Sequence, residues 1–358
     1  MKGPAQRLPH DRAFRLPGGE SATRTDDAVT IRFFGPRSVL CTSWLNGGFR
    51  ADLGALFNHQ IPVAACEACH AGGSVKEYLE GVAHKLGLDP GAASGLVTRA
   101  AMENTAVVTE TFRDLAVTAV VTAGIDKNGG RAGDPASYYE NGNTFEPVGG
   151  TINTILLIGG DLPEHAMARA LVTAAEAKAA VLQQLMAGSL YSSGIATGSG
   201  TDMAAIVTDP SSPLHLTDPG KHAKLGELIA RTVMEATAAA LAWETGLSPE
   251  SQQDALVRLS RFGVTAETLW TIAAELPDCP PDRAAFVSHL QAWARDPYAV
   301  ARVAAALHLA DEAAWGLLPV PAAGRAVALI FGMREGSFTD GDPVRCLCRA
   351  VIRDVADR

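Results

Sequence analysis

GGTINTILLIGGDLPEHAMARALVTAAEAKAAVLQQLMAGSLYSSGIATGSGTDMAAIVT, residues 149–208, decides the reading of the fold. Thr151–Ile158 is an almost continuous apolar run between two glycine pairs, the pattern of a strand covered on both faces. Asp161 stands where an N-cap would open a helix, Pro163 suits the first turn, and Glu164 falls three residues on, as in a capping box. The helix is expected to run to Met186 or Ala187, with Gly188 as a left-handed stop. ATGSGTD, residues 196–202, then leads into a second buried strand at Met203–Thr208. The unit reads strand, long helix, glycine-rich polar turn, strand.

One residue of that helix breaks its pattern. At about 100° per residue, Met167, Leu171, Ala175, Leu182 and Leu185 share one direction, and Lys178 falls among them. Either Lys178 snorkels or pairs with a carboxylate for structural reasons, or it points into a cleft, where a desolvated ammonium binds an anionic group or changes its proton affinity.

Composition narrows the class. A chain of 358 residues with 47% hydrophobic and 19% charged residues can bury a large core. A net charge of −9 and the lack of a basic run interleaved with aromatics argue against a nucleic-acid partner. No apolar segment reaches the roughly 18 residues of a membrane span, and residues 1–19 carry no apolar signal core, so a cytoplasmic protein without a membrane partner is expected. The six cysteines are too few for a disulfide scaffold. Cys66-Glu67-Ala68-Cys69-His70 spells the haem-attachment pattern, but that chemistry needs export, and no second pair completes a zinc site. The reading is therefore two cysteines of a surface loop, with no metal site.

Along the chain, residues 1–27 read as a loose N-terminal arm, rich in Arg, Pro and Gly. Residues 31–34 and 38–43 read as a β-hairpin turning at Gly35-Pro36. Asn46 follows, within a turn dipeptide that also suits a site. Residues 74–86 form a helix stopped by Gly87, and residues 115–124 a buried strand. Residues 125–148, polar and rich in glycine and proline, read as a substrate-facing flap. Residues 221–243 make a second amphipathic helix, with His222 and Glu227 at its polar start. Beyond Gly246, helical segments separated by Pro and Gly form an extension without a recognisable motif, with a late strand expected at residues 326–333 and a last helix at 344–355. The domains are thus 1–27, 28–244 and 245–358.

GTINTILLIGGDLPEHAMARALVTAAEAKAAVLQQL, ATGSGTDMAAIV and GKHAKLGELIARTV, with SWLNGG, NHQ and VTAGIDKNGGRAGDPA upstream, resemble the adenosylcobinamide amidohydrolase family of corrinoid salvage over about residues 30–242. The order of strand, DLP helix and glycine-rich turn is also faintly similar to the self-processing aminopeptidase and ornithine acetyltransferase folds. Together these imply an α+β layered sandwich with a mixed or antiparallel sheet and flanking helices, followed by the α-helical extension.

The resemblance implies hydrolysis of the amide joining aminopropanol to a propionate side chain of an adenosylated corrinoid, giving adenosylcobyric acid for cobamide salvage and remodelling. No cofactor is required, the corrinoid being the substrate, and a homo-oligomer is compatible. Such a hydrolase needs a base, an oxyanion donor and an acid for the leaving amine. Asp202 is the candidate base, because the edge of a buried strand strengthens a carboxylate as proton acceptor, and Lys178 the candidate oxyanion cation. His59 and His222 are candidate acids. Asn46, Asn153, Gly198, Gly200, Thr201 and Glu227 are candidate substrate-binding residues, and Thr151 is a candidate nucleophile on the fainter likeness. GSG precedes a strand and not a helix, which removes the phosphate-loop reading. A non-enzymatic corrinoid-binding or corrinoid-chaperone protein is the competing reading.

Overall fold

Strands whose two faces are both apolar need a covering layer on each side, and the chain supplies them. The computed structural model describes residues 4–70, 73–136, 151–276, 282–333 and 341–356. It divides into two compact units, one of Met1–Tyr191 with Ile195–Leu247 and one of Ser192–Gly194 with Ser248–Arg358.

The first unit holds two large sheets. One is seven-stranded, in the order β1 (Gln6–Arg7), β9 (Ala106–Phe112), β10 (Leu115–Gly124), β12 (Thr151–Ile158), β14 (Met203–Thr208), β5 (Ser38–Cys41) and β6 (Gly48–Arg50). In it β12 and β14 run parallel, joined by a helical crossover, and the other neighbours antiparallel. The other has the order β2 (Phe14–Arg15), β3 (Ser21–Arg24), β4 (Ala28–Arg32), β7 (Ala55–Gln60) and β8 (Ala93–Thr98), with β7 and β8 parallel. A short ribbon pairs β11 (Gly129–Gly130) with β13 (Gly198–Ser199).

Alternation assigns the faces. On β12, Ile155 and Leu157 meet Leu56, Ile31 and Leu96 of the other sheet, while Ile152, Leu156 and Ile158 meet the helices α3 (Glu164–Gln184) and α4 (Lys224–Thr245). Phe57 and Ala55, on the outer face of the five-stranded sheet, pack under helix α2 (Val75–Lys85), whose first turn Ser74 caps. The result is helix, sheet, sheet, helices: a four-layer α+β sandwich. Each buried aliphatic side chain contributes about 1.5–3 kcal/mol relative to exposure. Helix α1 (Val63–His70) follows β7.

The expected strands at Thr151–Ile158, Leu115–Gly124 and Met203–Thr208 are present. Other details differ. β4 and β5 belong to different sheets, so the expected hairpin is instead the crossing from one sheet to the other. The N-terminal arm is not loose: it contributes β1, β2 and β3 and buries Leu8 and Leu16. Asp161 does not cap α3; its backbone pairs with Leu214 and Leu216 and its Oδ2 lies 2.8 Å from His215 Nδ1, leaving Pro163 at the helix start. The left-handed residue after α3 is Met186, at φ 51°, and not Gly188. The buried face of α3 runs through Ala166, Ala170, Ala174, Ala177 and Val181, so Lys178 stands at its margin, and Ala175 is exposed.

The second unit is helical: α5 (Ala255–Leu259), α6 (Ala266–Ala274), α7 (Arg283–Ala294), α8 (Pro297–Ala314), α9 (Val320–Ile330) and α10 (Pro343–Ala356). α9 occupies most of the expected late strand, its buried Ala323, Val327 and Ala328 recurring at helical spacing. Trp293, fully buried, packs with Leu290, Val303 and Val351, and Trp270 stacks tilted on Phe286 at 5.6 Å.

Candidate active site

At one end of the sandwich the two sheets part around a cavity of about 840 Å³. Its wall takes Thr151 and Met203, the first residues of the parallel pair β12 and β14, together with Val97 and Thr98 at the end of β8. The turn around β13 and residues 128–136 complete it, with Trp44, Ile61, Cys66 and Cys69 opposite in sequence. That volume lies within the usual range of small-molecule sites.

Lys178 reaches this wall from α3 and forms an ion pair with Asp202 Oδ2, the two side chains 17% and 16% exposed. Asp202 is held from every side. Its Oδ1 accepts from Ser199 Oγ at 2.6 Å and from the Ile152 N–H at 3.0 Å, and the Ser199 N–H lies 3.0–3.1 Å from both oxygens. With Lys178, four donors occupy a carboxylate that offers about four lone-pair sites. These contacts anchor the Asp202 carboxylate, which ties the ammonium and the β13 turn to the start of β12.

Gly198 makes the approach possible. A Cβ there would lie 2.2 Å from Asp202 Oδ2 and 2.9 Å from Lys178 Nζ. Beside the pair, Thr151 Oγ1 and Thr201 Oγ1 stand 2.5 Å apart. Tyr191 donates to Asn128 Oδ1 at 3.1 Å, and a Cβ on Gly200 would touch that same amide at 3.0 Å. Thr197 Oγ1 accepts from the Ala132 N–H, and Asp134 from the Arg131 N–H and Ser189 Oγ.

Of the residues singled out in the sequence, the structure brings Thr151, Lys178, Gly198, Gly200, Thr201 and Asp202 to this one cavity. His59, His222, Glu227, Asn46 and Asn153 are not among its lining. His59 shares the outer face of β7 with Phe57, 3% exposed beneath α2, with Nε2 2.8 Å from the Tyr78 hydroxyl and Nδ1 without a hydrogen-bond partner among the described residues. Burial pushes the His59 imidazole below its ordinary pKa and the Tyr78 phenol up to about 12. His222 is exposed in the turn before α4, and Glu227 pairs on the surface with Lys224 and Arg231. Asn46 is a turn residue at φ 51° whose amide donates to the carbonyls of Pro90 and Ala93. Asn153 sits between the sheets, two residues behind Thr151, and donates to Asn58 Oδ1 and the Val97 carbonyl, each at 2.8 Å. It braces the wall.

Cys66 and Cys69 lie on α1, not in a surface loop, and both line the cavity. Burial raises both thiols. Among the described residues no group of three or more His, Cys, Asp or Glu could hold a metal ion. Of the expected flap, residues 128–136 contribute Asn128, Arg131 and Asp134 to the lining, while residues 137–148 lie outside the described residues. The cavity also uses Trp44, Tyr191 and Ser199, which lie in stretches quoted above without being named as site residues, and Arg99, which lies outside them. No described helix is long and apolar enough to cross a membrane.

Known proteins give this geometry its context. An uncharacterized protein of Methanocaldococcus jannaschii is 34% identical over 249 residues, 66% of this chain and 92% of that protein. A Methanosarcina mazei protein named adenosylcobinamide amidohydrolase is 33% identical over 138 residues, 38% of this chain and 56% of that protein. The crystal structure of a Pyrococcus horikoshii protein aligns with 67% of this chain and 83% of its own, at a TM-score of 0.32 and 13% identity. The profile described as adenosylcobinamide amidohydrolase matches residues 14–249, two thirds of the length and nearly the whole sandwich unit, and the chain belongs to that family.

Proposed function

We propose that the sandwich unit hydrolyses the amide between aminopropanol and a propionate side chain of adenosylcobinamide, or of an adenosylated cobamide, releasing adenosylcobyric acid for cobamide salvage. The observation that supports this most is the convergence of an anchored ammonium and a hydroxyl pair on one cavity, in a chain of this family. In this reading the Thr151 and Thr201 hydroxyls hold the attacking water against the amide carbon. Lys178 faces the oxygen on which negative charge develops, where a fixed cation stabilises the transition state more than the ground state. Asp202 positions Lys178 and keeps the β13 turn closed against β12. Lys178 also passes a proton to the departing amine as the C–N bond breaks and takes back the proton that the attacking water sheds, which restores the ammonium, while His59 and His222 lie off the cavity.

Incubating the purified protein with adenosylcobinamide tests the proposal. Release of aminopropanol with an acidic corrinoid product is expected. Corrinoid bound and recovered unchanged would favour the binding or chaperone reading.

A further inference from the structure

The described lining of the cavity and the chain as a whole differ in the sign of their charge. The chain has a net charge of −9, whereas the described residues lining the cavity include three cations, Arg99, Arg131 and Lys178, against two carboxylates, Asp134 and Asp202. Both carboxylates are occupied, Asp202 by its four donors and Asp134 by Ser189 Oγ and the Arg131 N–H. Lys178 is neutralised by Asp202. With that pair set aside, the described lining holds Arg99 and Arg131 against Asp134 alone.

Arg99 is the more telling of the two. It follows β8 directly, is half-buried, and its guanidinium has no ion pair among the described residues, whereas Arg131 is exposed at the rim. It lines the same cavity as Cys66 of α1, whose thiol it lies close enough to influence electrostatically. A guanidinium withdrawn from water without a carboxylate loses solvation that only an acceptor can restore, and its planar fork matches two oxygens of one oxyanion.

We propose that Arg99, seconded by Arg131, forms an anion subsite in this cavity that takes an oxyanion-bearing group of the ligand, a carboxylate or a phosphate. This deepens the proposed function, on which it rests for its ligand. Amide hydrolysis turns a neutral side chain into a propionate, and the aminopropanol arm can itself bear a phosphate ester. Either group would meet Arg99 as a fixed positive charge.

The test uses inorganic phosphate and propionate as probes, titrated into the full chain at low ionic strength by calorimetry. Wild type, Arg99→Gln, Arg99→Lys and Arg131→Gln are compared, with circular dichroism melting to confirm folding. At least one probe should bind wild type, with affinity about tenfold weaker in Arg99→Gln, partly restored in Arg99→Lys and weakened by a smaller factor in Arg131→Gln. Phosphate binding without propionate binding assigns the subsite to a phosphorylated arm; the reverse assigns it to the carboxylate product. Binding of neither anion to wild type, or equal binding by folded Arg99→Gln, overturns the proposal. A chain that binds anions through Arg99 but does not hydrolyse adenosylcobinamide would keep the subsite and remove the proposed reaction.

Discussion

Lys178–Asp202 in the sandwich and Arg302–Asp354 in the helical unit are ion pairs of nearly equal exposure, 17% and 16% against 15% and 23%. Their surroundings are opposite. Arg302 lies over the rings of Tyr298 and Phe331, at 4.8 and 4.6 Å, and Asp354 also accepts from the Trp293 indole N–H at 3.1 Å. Aromatic side chains enclose that pair, and it serves packing. Lys178–Asp202 is anchored by the backbone N–H groups of Ser199, in the glycine-rich turn, and Ile152, on β12, and borders an 840 Å³ cavity. The two pairs match in burial and differ in what covers the remaining face, aromatic rings in one and a cavity in the other.

The comparison breaks most easily at Asp202. Asp202→Ala leaves Lys178 and three further donors without their acceptor, so kcat/KM on adenosylcobinamide should fall on the order of 10³-fold, with a lower melting temperature. Near-normal turnover in the folded variant would show that the anchor is dispensable. Gly198→Ala is narrower, since its Cβ meets Asp202 and Lys178 and displaces them without removing either. Turnover about 10- to 100-fold lower is expected, and a variant as active as wild type would contradict the close approach. Arg302→Met should act on stability alone, costing about 1–3 kcal/mol in denaturant titration while turnover per folded molecule stays unchanged. In the same sense, a chain ending at Leu247 should still hydrolyse the corrinoid; a folded truncation without activity would show that the helical unit belongs to the site.

The smallest effect concerns His59. Burial holds its pKa below the ordinary 6.5, so the fold favours the neutral ring. Its contribution is complete above about pH 6.5, where the unfolded chain also leaves the ring neutral, and is lost as the pH falls toward the depressed folded value. Melting temperature between pH 7.5 and 5.5 should therefore drop more steeply in wild type than in His59→Gln. Equal slopes would remove this role.

The buried strands β10, β12 and β14 were legible because covering on both faces leaves a continuous apolar run, and α3 and α4 because their small and aliphatic residues recur at helical spacing. Thr151, Lys178 and the β13 turn were legible as neighbours around one cavity because consecutive elements carry them. The outer layers were not. β1, β2 and β3 are strands of two to four residues, too short for alternation to show, and the assignment of β4 and β5 to separate sheets depends on partners distant in sequence. His59 and Asn58 are chain neighbours, yet strand parity sends one under α2 and the other between the sheets. Arg99 left no signal at all: a single arginine after a strand looks like any surface residue until the cavity beside it is seen.

The central claim is that an ammonium anchored by Asp202 performs the chemistry of this cavity. Lys178→Met keeps the length and the apolar stem of the side chain and removes the charge, and its steady-state kinetics on adenosylcobinamide, taken beside a melting curve, test the claim most directly. The account predicts a folded protein whose kcat is lowered on the order of a hundredfold or more while KM changes little. A folded Lys178→Met with wild-type kcat would contradict it.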